Sequence, residues 1–357
     1  MRRSVLDLLF VARGVANLDT RRSGGVWAKL VLLACFGLSG AARVNGQDSA
    51  AEPQKPQADQ QAGQQVGQQL AVEQVGDVFR VTVGSELFTE VHVRGYRRPI
   101  CYPILGPGQT PMTRNHPMKP GVAGEATDHP HHKSMWFAHG AVNGVSFWDE
   151  KGEIRVAGWS RVTPDSLAFQ GEWYSPTGEL VCHDQTTLSF GAAEGRRWID
   201  WDVRLQSLDV PLVFGDTKEG MMAVRTHPNL NLTNPAGPDG RVVVGRARNS
   251  EGVTGKAIWG QRARWVDYVG EIDGRTVGMA VLDSPDNLRH PTYWHARDYG
   301  LVAANPFGQH DFTGSGQGDH TLPAHSELRF RYRFIFHSGE ASNADVDGWW
   351  AEFAAGR

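Results

Sequence analysis

A period-two alternation of apolar and polar residues is the feature that most restricts the fold of this chain. It is clearest in residues 201–206 and 328–336, where apolar side chains largely occupy every second position. Successive side chains of an extended strand point to opposite faces, so such runs fit antiparallel strands with one buried face. We therefore predict an all-β fold, a large antiparallel β-sandwich.

Looser alternation and turn signals extend the pattern over most of the chain. The looser strand candidates are residues 78–83, 87–93, 241–245 and 276–282. The turn candidates, rich in glycine, proline or aspartate, are residues 106–108, 175–178, 235–240 and 272–274. Only residues 343–353 have a helical pattern, with Asn343 or Asp345 available as its cap. The predicted sandwich therefore carries one short C-terminal helix.

The amino-terminal region has the composition of a targeting segment and a linker. Basic residues precede a short apolar run at 30–38, which predicts an export signal in residues 1–46. That run is well below the ~20 residues that span a bilayer, so we expect no stable membrane span after signal removal. Residues 47–70 are rich in glutamine and predict a disordered linker, and residues 71–357 predict a single β-sandwich domain. The predicted location is periplasmic or extracellular.

Charge and cysteine content narrow the possible partners. The formal net charge is only −3 and no basic stripe is interleaved with aromatics, so we expect no nucleic acid partner. Outside the predicted signal the cysteines are Cys101 and Cys182. They either pair in an oxidising compartment or are two unrelated core residues, and the sequence leaves both possibilities open.

The densest group of titratable residues lies between Asp128 and His139. Pro130 favours an extended His129, which predicts that His129 and His131 share one face while His132 points to the other. Their Cα atoms would lie ~6.6 Å apart, so His129, His131 and His139 are candidate ligands of a possible divalent metal. Acid and base catalysis by the same histidines, without a metal, is equally compatible with the sequence.

Two further segments carry candidate site residues. Asp216, Lys218 and Glu219 stand between glycines, with Arg225 nearby, and Lys218 and Glu219 form either a base with its partner or an exposed ion pair. Residues 290–308 combine aromatic and polar groups, a mixture that suits a sugar ring with one apolar face. The alternative for this last segment is a packed core strand with an ion pair between its arginine and aspartate.

The chain resembles a bacterial family of unknown function that is often labelled methane oxygenase PmoA. The resemblance covers about residues 71–339 and rests on segments 102–107, 128–140, 143–148, 215–220 and 290–308, the last containing Trp-His-x-Arg-Asp-Tyr-Gly. It implies a β-sandwich similar to the galactose mutarotase-like supersandwich. By analogy of role it implies that His131, His139 and His295 are acids or electrophiles, and that Glu219 or Asp216 is the base.

These observations predict an exported carbohydrate-active protein that uses acid/base chemistry on a sugar, as an epimerase, hydrolase or lyase. The alternatives are a histidine-ligated metal-dependent oxidoreductase and a non-catalytic glycan-binding module. The candidate catalytic residues are His131, His139, Lys218, Glu219 and His295. The candidate substrate-binding residues are Arg114, Asp128, His132, Trp136, Asn143, Trp148, Asp216, Arg225, Trp294, Arg297, Asp298 and Asn305. We expect a carbohydrate or another small polar substrate as the partner.

Overall fold

A computed structural model describes residues 69–234 and 242–356 of the chain. The predicted export signal, nearly all of the predicted linker and the predicted turn at 235–240 lie outside these residues. The first strand begins at Leu70. Within the described ranges, no helix is long and apolar enough to cross a membrane.

Strands account for most of the regular structure. In chain order they are β1 (Leu70–Val75), β2 (Val78–Val83), β3 (Glu86–His92), β4 (Ile100–Ile104), β5 (Met135–Phe137), β6 (Glu153–Thr163), β7 (Ser166–Tyr174), β8 (Leu180–Ala193), β9 (Arg196–Ser207), β10 (Leu212–Phe214), β11 (Met222–Arg225), β12 (Arg246–Asn249), β13 (Trp265–Ile272), β14 (Arg275–Asp283), β15 (Tyr293–Ala296), β16 (Leu301–Asn305), β17 (His320–Leu322) and β18 (Glu327–Ser338). The α-helices are α1 (Gln309–Thr313) and α2 (Asn343–Ala354), and short 3₁₀ turns span Pro107–Gln109, Pro228–Leu230 and Gly255–Ile258.

Two large antiparallel sheets form the body of the fold. Sheet 1 has the strand order β1-β2-β3-β4-β5-β11-β16-β15, and sheet 2 has the order β12-β13-β14-β18-β9-β8-β7-β6. Phe137 of sheet 1 lies 6.2 Å from Trp173 and 6.5 Å from Phe330 of sheet 2, measured between ring centroids. The inner faces therefore pack on each other, and the predicted all-β antiparallel sandwich is confirmed.

The sequence pattern locates long strands better than short ones. Residues 201–206 and 328–336 lie within β9 and β18, and residues 276–282 lie within β14. The strand predicted at 241–245 is wrong, because 242–245 are irregular and β12 starts at Arg246. Cys101 and Cys182 are buried and unpaired, which leaves them as two separate core residues.

The predicted C-terminal helix is confirmed as α2, but its cap is Ser342. The Ser342 hydroxyl accepts the backbone N–H of Asp345 at 3.1 Å, and the Asp345 carboxylate accepts the backbone N–H of Ser342 at 2.7 Å. Asp345 therefore completes a capping box at the third helical position, an arrangement worth about 1 kcal/mol of stability.

Candidate functional site

Strand register assigns four predicted site residues to the outer face of sheet 1, the face turned away from sheet 2: Trp136, Arg225, His295 and Asn305. Trp136, Ala223, Ala303 and His295 are cross-strand neighbours in one row over β5, β11, β16 and β15. Trp294 belongs to the next row, points to the opposite face and is fully buried, with its Nε1–H donating to a backbone carbonyl at 2.9 Å. The expectation that Trp294 offers a flat face to a sugar is therefore wrong.

Residues 128–134, the histidine loop, cover this outer face and are not extended. His129 has a φ of 45°, and the backbone N–H of His132 donates to the His129 carbonyl at 2.9 Å. This turn stacks the rings of His129 and His132 at 4.7 Å and 5°, whereas His131 stands edge-on to His129. The prediction of an extended His129 with His132 on the opposite face is wrong, because tertiary hydrogen bonds hold the loop in a conformation that Pro130 alone does not favour.

Two buried arginines supply those tertiary hydrogen bonds. Arg114 donates to the carbonyls of His116, Ala126, His129 and His132 and to the Asp128 carboxylate. Arg98 donates to the carbonyls of His131, Phe147 and Trp148. A buried guanidinium is destabilising unless its N–H groups find acceptors. These contacts therefore stabilise the two arginines and hold the histidine loop in its conformation.

A column of stacked rings passes from the surface into the protein. His129 stacks on Tyr299 at 5.3 Å, and His132 stacks on Trp136 at 5.4 Å, beside Trp148. Trp136 and Trp148 are only 0% and 1% exposed, so they support the histidines from below and offer no open platform to a substrate. Burial also lowers the pKa of His132, which stays neutral.

Asp128 and His129 form a carboxylate–imidazole dyad near the surface. Asp128 accepts hydrogen bonds from Arg114 at 2.6 Å, Arg225 at 3.1 Å and His129 Nδ1 at 2.7 Å. Burial raises the pKa of Asp128, but the two guanidiniums and the bond from His129 outweigh it, so the net effect lowers the pKa. An ionised Asp128 accepts a hydrogen bond from Nδ1–H of His129. The other ring nitrogen, Nε2, then carries a lone pair, and this side chain is 40% exposed.

A cavity of about 380 Å³ lies beside the dyad. Arg114, Asp128, Arg225 and Tyr299 line it, together with Glu125 and a rim of small polar residues. Its volume falls within the roughly 300–1,000 Å³ that is typical of small-molecule sites. A second cavity, of about 560 Å³, contains none of the predicted site residues and is lined by the Arg246–Glu340 and Arg248–Asp267 ion pairs.

Three other predicted residues hold residues 215–220, the acidic loop. His139 donates from Nε2 to the Gly215 carbonyl, and His295 donates from Nδ1 to the Lys218 carbonyl, each at 2.8 Å. Asn305 donates to the Thr217 carbonyl at 2.8 Å. Burial lowers the pKa of both histidines to about 4, so they remain neutral near pH 7.

The charged groups of the acidic loop pair with one another or with the backbone. Lys218 and Glu219 form a partly exposed ion pair at 3.0 Å, and Asp216 accepts the backbone N–H groups of His310 and Gly318. Burial raises the pKa of Glu219, but bonds from Thr217 and Lys218 outweigh it and lower the pKa. Asp216 is therefore a loop anchor.

Tyr299 lies within electrostatic range of both loops. Burial raises its pKa and Arg297 and Arg225 lower it, while Asp128 of the histidine loop and Glu219 of the acidic loop raise it further. The net effect raises the pKa, so the hydroxyl keeps its proton at neutral pH. Charges of both loops therefore act on the same hydroxyl.

The candidate metal ligands do not converge. Nε2 of His139 donates a hydrogen bond to the acidic loop, while His129 and His131 belong to the histidine loop. Among residues 69–234 and 242–356, no group of three or more histidine, cysteine, aspartate or glutamate side chains is placed to hold a metal ion. The described residues therefore do not fit the site predicted from His129, His131 and His139.

Several remaining candidates lie apart from the cavity. Arg297 and Asp298 line a separate cavity of about 220 Å³, and Asp298 pairs with Lys256 at 2.9 Å. Asn143 has a φ of 46° and accepts a backbone N–H at 2.7 Å, so it closes a turn. His131 is partly buried, which lowers its pKa, and lies 3.7 Å from Asp149.

A family model described as a family of unknown function, DUF6807, matches residues 78–351. The chain belongs to this family. The family's description does not carry the methane oxygenase label, and no curated protein sequence matches the chain.

Solved structures similar to this DUF6807 chain share very little sequence with it. A galactose mutarotase related enzyme from Lactobacillus acidophilus is 9% identical with a TM-score of 0.30, covering 75% of this chain and 97% of that one. A galactose mutarotase-like protein from Lactobacillus casei is 9% identical with a TM-score of 0.35, over 75% and 100%. A glycoside hydrolase family 97 enzyme from Pseudoalteromonas, in complex with panose, is 10% identical with a TM-score of 0.30, over 76% and 34%.

Tyr299 and Arg98 are the site residues that sequence reasoning underused in this DUF6807 chain. Tyr299 was expected only as an aromatic face, although its position next to Asp298 and two residues from Arg297 signals a polar environment. Arg98 lies in no recognised motif. Its role depends on hydrogen bonds to carbonyls about 33 to 50 residues away in sequence. A single sequence offers no signal for such a contact.

Proposed function

We propose that this protein acts on a carbohydrate by acid/base chemistry at the 380 Å³ cavity, with His129 as the base and Tyr299 as the acid. The observation that carries the proposal is the Asp128–His129 dyad, joined at 2.7 Å, whose carboxylate lines that cavity. Tyr299 also lines the cavity and stacks on the His129 ring at 5.3 Å. Base and acid are therefore in ring contact, and the cavity is lined by the acid and by the carboxylate partner of the base.

The dyad supports proton abstraction for a simple electrostatic reason. His129 Nε2 takes a proton from the substrate, and the ionised Asp128 stabilises the imidazolium that forms. The protonated hydroxyl of Tyr299 then donates a hydrogen bond, or a proton, to the oxygen on which charge develops. In this proposal His139 and His295 position the acidic loop, while catalytic roles for His131, Lys218 and Glu219 remain predictions.

The lining of the cavity supports a polyhydroxylated substrate. Beyond the charged groups it presents the amides of Asn231 and Asn234 and the hydroxyls of Thr226 and Thr233, next to the Tyr299 ring. Amides and hydroxyls both donate and accept hydrogen bonds, which suits the rim of a sugar, and an aromatic ring suits its apolar face. No observation favours the metal-dependent oxidoreductase that the methane oxygenase label suggests.

The test is a screen of mono- and oligosaccharides with wild type and two variants, His129→Gln and Tyr299→Phe. NMR detects a changed ring configuration, a reducing-end assay detects hydrolysis, and ultraviolet absorbance detects an unsaturated lyase product. We expect turnover in the wild type and strong loss in both variants, with His325→Asn, whose parent side chain is 73% exposed, as the matched control. Binding without turnover would point to a glycan-binding module, and full turnover in His129→Gln would refute the proposed base.

We also propose that the protein is exported, which rests on the basic and apolar pattern of residues 1–46. Fractionation of the producing cells, followed by amino-terminal sequencing, tests this directly. A periplasmic or secreted chain that starts near residue 46 is expected. A full-length chain confined to the cytoplasm would contradict export.

A further inference from the structure

One of the three most buried arginines differs from the other two. Arg98, Arg114 and Arg225 are 2%, 1% and 1% exposed, and the first two direct their donors to several backbone carbonyls. Arg225 reaches Asp128 at 3.1 and 3.5 Å and His132 Nδ1 at 3.5 Å. Within the described part of the chain the Nε–H groups of both Arg225 and Arg98 have no hydrogen-bond partner. Arg225 differs because its hydrogen bonds go to the side chains of Asp128 and His132, whereas Arg98 and Arg114 also donate to several backbone carbonyls.

Charge around Arg225 is also incompletely balanced. Asp128 is shared between Arg114 and Arg225, so one carboxylate faces two guanidiniums. Glu125 lines the same cavity and its charge supports Arg114, whereas the carboxylate that supports Arg225 is Asp128. A buried cation without a full counter-charge is destabilising, so an anionic group of a ligand would be favourable here.

The position of Arg225 favours a planar anion. Its guanidinium carbon lies 4.5 Å from the centroid of the Tyr299 ring, which fixes the plane of the donor fork. Both residues line the 380 Å³ cavity, and a carboxylate can accept two parallel N–H bonds from such a fork. Arg225 therefore lines the same space as Tyr299 and Asp128.

We infer that the cavity recognises a sugar acid and that Arg225 binds the carboxylate of that sugar. This inference rests on the proposed function and names its substrate class. The carboxylate supplies a second negative charge to Arg225, whose own carboxylate partner Asp128 is shared with Arg114. The hydroxyls of the sugar then meet the amides and hydroxyls at the rim of the cavity.

The test compares acids with matched neutral sugars in the full chain by titration calorimetry. The ligands are glucuronate and galacturonate, their methyl esters, the parent hexoses and glucose 6-phosphate. We expect the uronates to bind at least about tenfold more tightly than their esters, since a charge-assisted hydrogen bond is lost in the ester. Equal binding of acid and ester overturns this inference and leaves the proposed function standing. Tighter binding of glucose 6-phosphate overturns the carboxylate assignment, and binding of none of these ligands overturns both proposals.

The variants Arg225→Gln and Arg225→Lys identify the residue responsible. Arg225→Gln is expected to bring the affinity for the uronate down to that for its ester, and Arg225→Lys, which keeps the charge without the fork, to give an intermediate ratio. Arg204→Gln, at an exposed position of sheet 2, is the control and should keep the wild-type ratio. A tenfold preference that persists in folded Arg225→Gln overturns the role of Arg225. If circular dichroism shows that this variant is unfolded, the Arg225→Lys ratio and the wild-type comparison decide the question.

Discussion

His129 of the histidine loop differs in partner and exposure from His139 and His295, which hold the acidic loop. His129 bonds to a carboxylate and is 40% exposed, whereas His139 and His295 bond to backbone carbonyls and are 0% and 3% exposed. The carboxylate partner orients the ring of His129 at a solvent-accessible position. A carbonyl partner in a buried setting fixes one neutral tautomer, which suits a structural role. The same residue type thus carries the proposed chemistry in the histidine loop and holds the acidic loop in place.

The largest expected effect separates these two roles. His129→Gln should lower turnover by about 10²- to 10⁴-fold, because a positioned general base is lost, while stability changes by less than about 0.5 kcal/mol. His139→Gln should instead weaken the fold. Steady-state kinetics and urea unfolding of both variants check the contrast. A His139→Gln variant that is stable but inactive would contradict the structural role assigned to His139.

The second prediction concerns pH. In the folded protein the pKa of His139 and of His295 is lowered from 6.5 to about 4, so the unfolded chain takes up protons that the folded protein refuses. Their contribution to the free energy of unfolding is therefore fully present above pH 6.5 and is lost as pH falls towards 4. At about 1.4 kcal/mol per pKa unit this amounts to roughly 3 kcal/mol for each histidine.

Urea unfolding between pH 7 and pH 4 measures that loss. His139→Gln should flatten the dependence, because glutamine does not titrate, and His325→Asn should leave it unchanged. An identical slope in wild type and His139→Gln would contradict the assignment.

A third prediction probes how tightly the acidic loop packs. A Cβ at Gly220 would collide with Nδ1 of His139, so Gly220→Ala should cost about 1–3 kcal/mol of stability. Gly144→Ala is a control for backbone strain alone, since its added Cβ meets open space at a φ of 78°. Thermal unfolding of both variants gives the comparison. A smaller loss for Gly220→Ala than for Gly144→Ala would show that the loop yields easily.

The smallest effect is expected at the Lys218–Glu219 pair. Its side chains are 40% and 27% exposed, and ion pairs of this kind contribute at most about 1 kcal/mol. Lys218→Gln should therefore leave the unfolding free energy nearly unchanged, even in low salt. A loss of turnover in this stable variant would sharpen the comparison by assigning chemistry to the acidic loop as well.

The sequence predicted part of the site and missed the rest for identifiable reasons. Asp128, His129 and Arg225 were all predicted candidates. The hydrogen bond between Arg225 and Asp128 joins residues about 97 positions apart. The prediction failed where it relied on local rules, since Pro130 did not hold His129 extended and His139 did not join the histidine loop. Trp294 and His295 were both expected at the site, but adjacent residues of a strand point to opposite faces, and the register of β15 selects His295.

By itself the sequence determined the class of fold, because alternation along β9 and β18 is a local property that antiparallel strands require. It also determined which segments carry the polar groups. Only the tertiary structure decided which histidine bonds to a carboxylate and which bonds to a carbonyl. It also decided that the Nε–H of Arg225 has no hydrogen-bond partner among the described residues. Those outcomes depend on burial and on contacts between distant residues, which set protonation and hydrogen bonding and which local sequence patterns do not encode.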